Sequence, residues 1–412
     1  MPWEETCVMD ERTAFIVDWQ RDEMAVAALC RYYGVSRKTG HKWINRFEAQ
    51  SWEGLKDASR APHHHPNAVS EEIEAAIVAL RAEHPSWGPK KLRSVLAEAQ
   101  PRRAWPAVST IAAILERHGL VKHRRRRQRT PPSPSPLSAC AAANDVWGVD
   151  FKGWFRTGDG RRCDPLSLSD LATRYVLRLQ VLRRPDGEHV WPVLDAAFRE
   201  FGLPKVMRSD NGAPFASTGA GGLTRLAVKL IKAGVVPERI APGKPHENGR
   251  HERLHLTVEI EAVNPPAANA RAQQRRFDEF RRVFNEVRPH EALGQTPPAR
   301  HYHPPPSAYS GRLREPDYPS DHAVRRVRHS GEIKWRGERV FLSEALIGEP
   351  VGLAAIGDGL WLVRYGPIEL GHVDAAGKFH KPAPQRRKTC GFVDNACALP
   401  TTPQAPQPHQ IT

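Results

Sequence analysis

Apolar positions recur at helical spacing through residue 121, and short strands mixed with helices follow from residue 144. Residues 25–33 share one apolar helical face, Gly34 can end this helix in the left-handed region, and Ser36 can cap the next helix. Two helices joined by a short glycine turn, the second with a basic outer face, form the helix-turn-helix pattern. The outward residues that we expect to contact DNA are Arg37, Lys38, His41, Lys42 and Asn45. The alternative is a helical bundle whose charged face is only solvated.

A second helical unit follows a short linker. Residues 68–122 again carry apolar stripes at helical spacing, and Gly119 can end the last helix. We therefore predict a helix-turn-helix DNA-binding module at 1–57 and a second helical DNA-binding module at 68–122. Either both units bind segments of one DNA site, or one binds and the other only packs.

A dense basic run and a Pro/Ser-rich stretch follow the second unit. We predict a basic arm and linker at 123–143 that tracks DNA phosphates. Its expected DNA contacts are Arg124, Arg125, Arg126 and Arg127. Nuclear targeting and a solvated tether are the competing interpretations of such a run.

Three acidic residues stand out in the mixed region, whose order of strands and helices predicts an α/β layer. Asp150 ends the first predicted strand, Asp210 follows the fourth, and Glu252 lies on the last helix of the unit. If strands one and four are neighbours, both aspartates emerge at one sheet edge, and a packed helix can bring the glutamate there. Converging carboxylates repel each other unless divalent cations hold them, and oxygen ligands suit Mg²⁺ or Mn²⁺. Two such ions, about 3.5–4 Å apart, can stabilise the attacking and leaving oxygens of a phosphoryl transfer.

The charge balance points to the same substrate. The chain has 61 Lys+Arg against 46 Asp+Glu, a net charge of +15, which suggests nucleic acid or an anionic membrane as partner. No apolar run approaches the roughly 20 residues of a membrane span, and the acidic N-terminus is unlike a signal peptide. The 6 cysteines form no Cys-x-x-Cys pair, which disfavours a zinc ribbon and fits a reducing cytoplasm. We interpret His63, His64 and His65 as loop residues.

Several long motifs carry a family resemblance. VWGVDFKGWFRTGDGRRCDPLSLSD, RSDNGAPFAS, PERIAPGKPHENGRHERLHLT and QQRRFDEFRRVFNEVRPHEALGQTPPARHY resemble the integrase-core (DDE) transposases of bacterial insertion sequences. With the helical units, the resemblance spans residues 10–380. It implies a ribonuclease-H-like catalytic core, related in fold to retroviral integrases, which we predict at 144–300. It also implies that Asp150, Asp210 and Glu252 are the catalytic, metal-binding triad.

The resemblance implies an activity as well. Such an enzyme binds the terminal inverted repeats of its element as double-stranded DNA, cleaves strands and joins them to target DNA, working as at least a dimer. The competing functions are a sequence-specific DNA-binding regulator without catalysis and a nuclease for DNA repair. A regulator has no use for the acidic triad, and a repair nuclease leaves the helical units unexplained. We expect a DNA-associated bacterial cytoplasmic protein.

The motif contains two candidates for the third acidic residue. Glu247 has nearly the spacing from Asp210 that is common in this superfamily. In the resembling sequences, however, the acidic residue follows Asn-Gly by a few positions, as Glu252 does here, which favours Glu252. Residues 219–222 look like the insertion that lengthens the spacing between Asp210 and Glu252. Arg253 and His255 are expected to touch phosphate. Leu256 and Glu259, however, stand where the resemblance leads us to expect Arg and Lys.

The C-terminal part has the pattern of an all-β domain. Residues 324–379 show short alternating segments with glycine turns, typical of a small β-barrel, and the residues after it look disordered. The predicted fold class is therefore multidomain: N-terminal all-α helix-turn-helix modules, a central α/β ribonuclease-H-like catalytic domain and a small C-terminal β-barrel. The barrel is placed at 320–381 and the tail at 382–412.

Overall fold

The structure, a computed structural model, describes residues 7–57, 68–121, 137–304, 309–357 and 359–382. The histidines 63–65, the predicted arm contacts Arg124 to Arg127 and the tail from residue 383 lie outside these ranges. The chain divides into two compact units, Met1–Ser70 and Glu71–Thr412. Within the described ranges, no helix combines the length and apolar character needed to cross a membrane.

The first unit is a small helical bundle. Its described helices are α1 (Val8–Gln20), α2 (Val26–Tyr32), α3 (Arg37–Gln50) and a 3-10 helix (Ser51–Leu55). The predicted signals between α2 and α3 are confirmed, since Gly34 has φ +65° and the Ser36 hydroxyl accepts a 3.1 Å hydrogen bond from the Thr39 amide. Gly40 lets α3 approach α2 closely, because a Cβ there would lie 2.3 Å from Cys30 Sγ.

The second helical unit packs against the rest of the larger unit. It consists of α4 (Glu71–Glu83), α5 (Pro89–Ala99) and α6 (Val108–Arg117). On α5, the Ser94 hydroxyl donates to the Gln295 carbonyl at 2.9 Å, and Lys90 pairs with Glu291 at 2.8 Å. These contacts bind one face of α5 to the segment after the central helices, so that face is not free for DNA.

A mixed sheet forms the centre of the larger unit. Its strands are β1 (Val146–Phe151), β2 (Phe155–Arg156), β3 (Arg162–Asp170), β4 (Val176–Leu182), β5 (Val206–Ser209) and β6 (Val236–Arg239). They are ordered β2-β3-β1-β5-β6, with β4 also paired to β3. β3 runs antiparallel to β1 and β4, whereas β5 runs parallel to β1 and β6. The predicted α/β layer is confirmed, including the pairing of the first strand with the strand that precedes Asp210.

Four helices flank this sheet. They are α7 (Gly187–Phe201), α8 (Arg225–Lys232), α9 (Gly249–Val258), which continues into a π-helical turn (Glu259–Val263), and α10 (Ala270–Glu286). Helix α8 is buried on two faces: Leu226 and Leu230 pack towards the sheet, while Val228 and Ile231 pack towards the C-terminal strands. α8 therefore joins the central and C-terminal parts through shared apolar packing.

The C-terminal region is rich in strands, as predicted, but its described strands do not close into a barrel. They are β7 (Ala323–Arg326), β8 (Glu332–Trp335), β9 (Glu338–Phe341), β10 (Pro350–Gly357), β11 (Leu360–Tyr365), β12 (Ile368–Val373) and β13 (Phe379–His380). Five form an open sheet ordered β13-β12-β11-β10-β7, and β8 pairs only with β9 as a separate hairpin. Because the hairpin does not bridge the two edge strands, the expected barrel closure is absent from this pairing.

A glycine-rich turn at residues 219–222, the expected insertion, contacts the C-terminal strands. Gly221 has φ +60°, and a Cβ there would lie 2.9 Å from Leu370 Cδ2 on β12. Ala220 and Leu223 are buried in the same apolar cluster as the C-terminal strands. This turn thus packs against the C-terminal sheet through shared apolar contacts.

Candidate active site

Two aspartates lie side by side at one edge of the mixed sheet. β1 and β5 are parallel, with Gly148 opposite Arg208. Continued by two residues, this register brings Asp150 level with Asp210. The Asp210 carboxylate is fixed at the start of its loop, where Oδ1 accepts a 3.0 Å hydrogen bond from the Gly212 amide.

Asp150 is the electrostatic centre of the cluster. Its carboxyl is half-buried, and burial is the largest cause that raises its pKa from 3.8 to about 6. The negative charges of Asp210 and Glu252 raise the pKa of Asp150 further. All three predicted triad members are therefore close enough to interact, and the repulsion expected from converging carboxylates is present.

Helix α9 carries the third carboxylate and is tied to Asp150 at its start. The Asn248 side-chain amide, just before the helix, donates a 2.7 Å hydrogen bond to Asp150 Oδ2. Glu252 follows in the first turn and is exposed, so its carboxylate is available to a ligand.

Glu247 has a different environment. Its Oε2 accepts a 2.8 Å hydrogen bond from the Ala241 amide, and Oε1 lies 3.9 Å from Lys244 Nζ. Only 2% of its side chain is exposed. One oxygen is thus bonded within its own loop, while the other is buried with only the Lys244 charge nearby. The exposed Glu252 is therefore the more accessible third ligand.

A buried polar layer lies behind Asp150, between α9 and the sheet. His251 is 1% exposed and sits against Gly148, where a Cβ would lie 2.1 Å from its Nε2. Ser167 Oγ donates to the Asp150 carbonyl at 3.1 Å and lies 2.8 Å from His255 Nε2. Burial lowers the pKa of His251 to about 3 and that of His255 to about 4, so both rings are neutral at pH 7.

Two overlapping donor sets are candidates for a cation here, and they differ in geometry. Asp150, His251 and His255 each offer an atom within 4.8 Å of the others, and this group includes neither Asp210 nor Glu252. The histidine nitrogens, however, already contact Ser167 and Ser169, at distances of 2.8 to 3.4 Å. The carboxylates of Asp150, Asp210 and Glu252 supply only oxygen, and the raised pKa of Asp150 marks a negative charge that a hard cation would relieve. The oxygen set therefore fits Mg²⁺ or Mn²⁺ better than the mixed set does.

The departures on α9 have distinct environments. Glu259 pairs with Lys152, whose side chain is 9% exposed and which follows β1 by one residue. Glu259 also accepts a 2.7 Å hydrogen bond from Asn264. Leu256 is 54% exposed. Position 259 thus holds a structural ion pair, and position 256 is a free apolar surface.

The predicted DNA contacts are placed unequally. Arg253 is exposed beside Glu252, and all five predicted residues of α3 are exposed, namely Arg37, Lys38, His41, Lys42 and Asn45. The predicted phosphate contact of His255 does not agree with its position. Its ring is half-buried and neutral, and its Nε2 bonds with Ser167, so it lacks the free charge that would hold a phosphate.

Asn248, Ser167 and His251 were not identified from the sequence as site residues. Ser167 alternates with Leu166 and Leu168 in β3, and this period of two signals that its hydroxyl faces the side opposite to theirs. Asn248 stands in the Asn-Gly step that marks the start of α9. His251 stands at helical spacing from Leu254 and Val258, the other buried residues of α9, but its contact with Gly148 depends on tertiary packing.

Comparisons with known proteins agree with this architecture. Two models described as "Integrase core domain" match residues 141–245 and 233–298, and "IS481 family transposase, C-terminal domain" matches 322–380. "Helix-turn-helix domain" matches 11–63 and "Homeodomain-like domain" matches 39–115. The fold and site thus define a helix-turn-helix protein with an integrase core.

Two relatives and one solved structure are similar to the chain. The "Insertion element IS407 uncharacterized 31.7 kDa protein" of Burkholderia multivorans is 30% identical over 239 residues, 57% of this chain and 82% of the relative. The "Insertion element IS476 uncharacterized 39.2 kDa protein" of Xanthomonas euvesicatoria is 29% identical over 272 residues, which are 65% of this chain and 75% of the relative. A chain in the cryoEM structure of the simian T-cell lymphotropic virus intasome in complex with PP2A regulatory subunit B56 gamma is 14% identical, with a TM-score of 0.34; the match covers 71% of this chain and 97% of that chain. The chain belongs to the integrase-core transposases of bacterial insertion elements.

Proposed function

We propose that this protein catalyses DNA strand cleavage and strand transfer for its insertion element, with Asp150, Asp210 and Glu252 as the catalytic, metal-binding triad. The observation that carries this proposal is the parallel pairing of β1 with β5, which brings Asp150 level with Asp210, together with the Asn248 hydrogen bond that ties the start of the Glu252 helix to Asp150. The raised pKa of Asp150 agrees with this placement. A DNA-binding protein without catalysis gains nothing from carboxylates gathered in this way. A ribonuclease-H-like core at 144–300 is the proposed frame.

The three carboxylates would hold the cations, Mg²⁺ with Mn²⁺ as a substitute, and we propose two per site. When bound, such ions lower the pKa of an attacking water and stabilise the charge that develops on the transferred phosphate. Asn248 holds one oxygen of Asp150 in place, and the Gly212 amide holds one oxygen of Asp210. These hydrogen bonds leave the second oxygen of each aspartate for a cation.

The proposed chemistry has two displacements. Water attacks a phosphodiester at the element end, its oxygen bonds to phosphorus, and the 3′ oxygen leaves as a free hydroxyl. That hydroxyl then attacks a phosphodiester of the target DNA and displaces the target's 3′ oxygen. Each step replaces one P–O bond by another, so no covalent bond between protein and DNA is needed.

The exposed basic face of α3 is the proposed reader of the terminal inverted repeats. Helix-turn-helix proteins place such a helix in the major groove, where Asn can pair with adenine and Arg or Lys with guanine or phosphate. We propose that α5 instead positions the second helical unit on the core, in line with its contacts to Gln295 and Glu291. Joining two element ends requires two active sites, so we propose at least a dimer on DNA. The proposed location is with the bacterial DNA.

The test compares binding and joining of a duplex that ends at the inverted repeat flanking the gene. We expect wild type to join this DNA to a target in Mg²⁺, and Asp210→Ala to bind the duplex with similar affinity but to form no joined product. Equal joining by both proteins would overturn the assignment of Asp210. Binding without joining by either protein would favour the regulator, the second candidate, which the helix-turn-helix domains also suit.

A further inference from the structure

Three arginines gather beside α9. Arg250 and Arg253 lie one turn apart on the helix and are both exposed. Arg250 Nη1 donates a 2.6 Å hydrogen bond to the Leu171 carbonyl, which anchors it over the turn between β3 and β4. Arg174 ends that turn, and its pKa is lowered to about 10 by burial first and then by the positive charges of Arg250 and Arg253.

The position of Arg174 is unusual for its residue type. Its backbone has φ +66°, a left-handed conformation that is costly for any residue with a Cβ. The turn holds it there, since Asp170 O accepts from the Arg174 amide at 3.0 Å and Asp170 Oδ1 accepts from the Thr173 amide at 2.7 Å. The fold thus fixes where this half-buried side chain starts.

The Arg174 guanidinium has no anionic partner among the residues that the structure describes. Burial and the charge of Arg250 lower its pKa by more than Cys140 and Asp170 raise it. Asp170 is buried and already accepts hydrogen bonds from Asn144 and Thr173. A partly buried guanidinium among like charges becomes favourable when an external anion binds it.

We propose that Arg174, Arg250 and Arg253 bind the phosphodiester backbone of the element-end DNA. This inference rests on the proposed function. Arg250 contacts the turn that holds Arg174 through the Leu171 carbonyl, so Arg174 lies beside the exposed cations of α9. Three neighbouring guanidinium groups suit a polyanionic strand better than a single small anion.

This cluster supplies the charge that α9 lacks elsewhere. Leu256 is apolar, and Glu259 is paired with Lys152, so neither offers a cation to DNA. Arg250 and Arg253 place cations on another face of the same helix, and Arg174 adds a third from the neighbouring turn. Arginine suits phosphate because its planar fork can donate two hydrogen bonds to one anion.

The first test measures how the affinity for the inverted-repeat duplex depends on salt. Each lost phosphate contact should reduce the slope of log K against log salt by about 0.9, so Arg174→Gln should flatten it by about that amount and Arg174→Lys should restore most of it. Arg312→Gln, a change at an exposed arginine remote in sequence, is the matched control and should leave the slope unchanged. Unchanged slopes for both Arg174→Gln and the exposed-site variant Arg253→Gln would overturn the proposal, and Arg253→Gln decides alone if Arg174→Gln fails to fold.

The second test locates the contact. Single phosphates of the duplex are replaced one at a time by uncharged methylphosphonates, and binding by wild type and Arg174→Gln is compared. We expect wild type to lose affinity at one or more phosphates where Arg174→Gln shows no further loss, because the variant has already lost that contact. If the variant loses affinity at every phosphate that matters to wild type, the proposal is overturned. If wild type binds DNA with the expected methylphosphonate profile but joins none, the proposed catalysis fails and the arginine site stands. If wild type joins DNA and the arginine variants show the same salt slope and the same profile as wild type, only the arginine site fails.

Discussion

The side-chain amide of Asn248 donates a 2.7 Å hydrogen bond to Oδ2 of Asp150, and this bond joins the start of α9 to the end of β1. The helix that carries Glu252 is thereby fixed to the strand that carries Asp150. The bond also opposes the rise in the pKa of Asp150 that burial, Asp210 and Glu252 cause. The hydrogen bond thus keeps Asp150 and the start of α9 together despite the repulsion between the carboxylates, and a bound cation would relieve that repulsion.

This repulsion makes a prediction about stability without metal. The pKa of Asp150 is 3.8 in its ordinary state and about 6 in the folded protein, a difference worth about 3 kcal/mol. This loss of stability is absent below pH 3.8, where Asp150 is protonated in both the folded and the unfolded protein. It grows as the pH rises and reaches its full size above about pH 6. Asp150→Asn should therefore raise the free energy of unfolding at about pH 7.5, and by less at about pH 5. Urea unfolding of the metal-free protein measures both.

Asp170→Asn is the matched control for that experiment. Asp170 is also buried, and burial raises its pKa, whereas hydrogen bonds from the Thr173 amide at 2.7 Å and the Asn144 amide at 2.9 Å lower it. An amide side chain offers one acceptor oxygen where the carboxylate offers two, so Asp170→Asn should gain less stability at about pH 7.5 than Asp150→Asn does. A loss of stability for Asp150→Asn at both pH values would contradict the predicted repulsion.

The Lys152–Glu259 pair should behave as a coupled structural unit. The Lys152 side chain is 9% exposed and that of Glu259 is 38% exposed, so part of the attraction is screened by solvent. Glu259→Gln should destabilise the protein by about 1–2 kcal/mol, because it leaves the Lys152 ammonium without its partner. The double variant Lys152→Met/Glu259→Gln should lose less than the sum of the single changes. Strictly additive losses in a double-mutant cycle would show that the pair is not coupled.

Leu256 offers a gain-of-binding experiment. It is 54% exposed on α9, at a position where the family resemblance leads us to expect a cation. Leu256→Arg should steepen the salt dependence of DNA binding by about 0.9 in log–log slope, since it adds one phosphate contact. Leu256→Gln, which adds polarity without charge, is the matched control. Equal slopes for the two variants would place this face of the helix away from DNA.

Asn45 on α3 should read base identity. It is exposed on the outer face of the helix, and Asn pairs with adenine through two hydrogen bonds in the major groove. Asn45→Ala should relax the preference at one base pair of the inverted repeat by about 1–3 kcal/mol, while Arg37→Gln should weaken all sequences alike. Competition between the natural repeat and single-base variants measures this. The exposed Gln50 near the end of α3 provides a control variant, Gln50→Ala, which should keep the natural preference.

Much of the fold follows from local sequence signals. The strand Val146–Phe151 is a short, largely apolar run, and the helix Ala270–Glu286 carries buried phenylalanines at helical spacing. The pairing of β1 with β5 is also predictable, since the alternation of strands and helices makes these strands neighbours. Asp150 and Asp210 could therefore be placed at one edge without a structure.

The remaining features depend on tertiary contacts that periodicity does not encode. The number of C-terminal strands and their turns can be predicted from the sequence, and they are typical of a barrel. The sequence does not show that β8 pairs only with β9, which leaves the described sheet open. The burial of His255 arises from its contact with Ser167, a residue distant in sequence. Arg174 looks like an ordinary surface arginine until its left-handed backbone and the neighbouring Arg250 are seen.

The central claim is that Asp150, Asp210 and Glu252 together carry out strand transfer, and a matched pair of glutamates tests it most directly. Wild type, Glu252→Gln and Glu247→Gln are compared for joined product from the inverted-repeat duplex in Mg²⁺. Both changes remove one charge within the same segment, but Glu252 is exposed near Asp150 while Glu247 is bonded to Ala241. We predict that Glu252→Gln abolishes joining and keeps binding, whereas Glu247→Gln still joins DNA. Joining by Glu252→Gln, or its loss in a folded Glu247→Gln protein, would contradict this account.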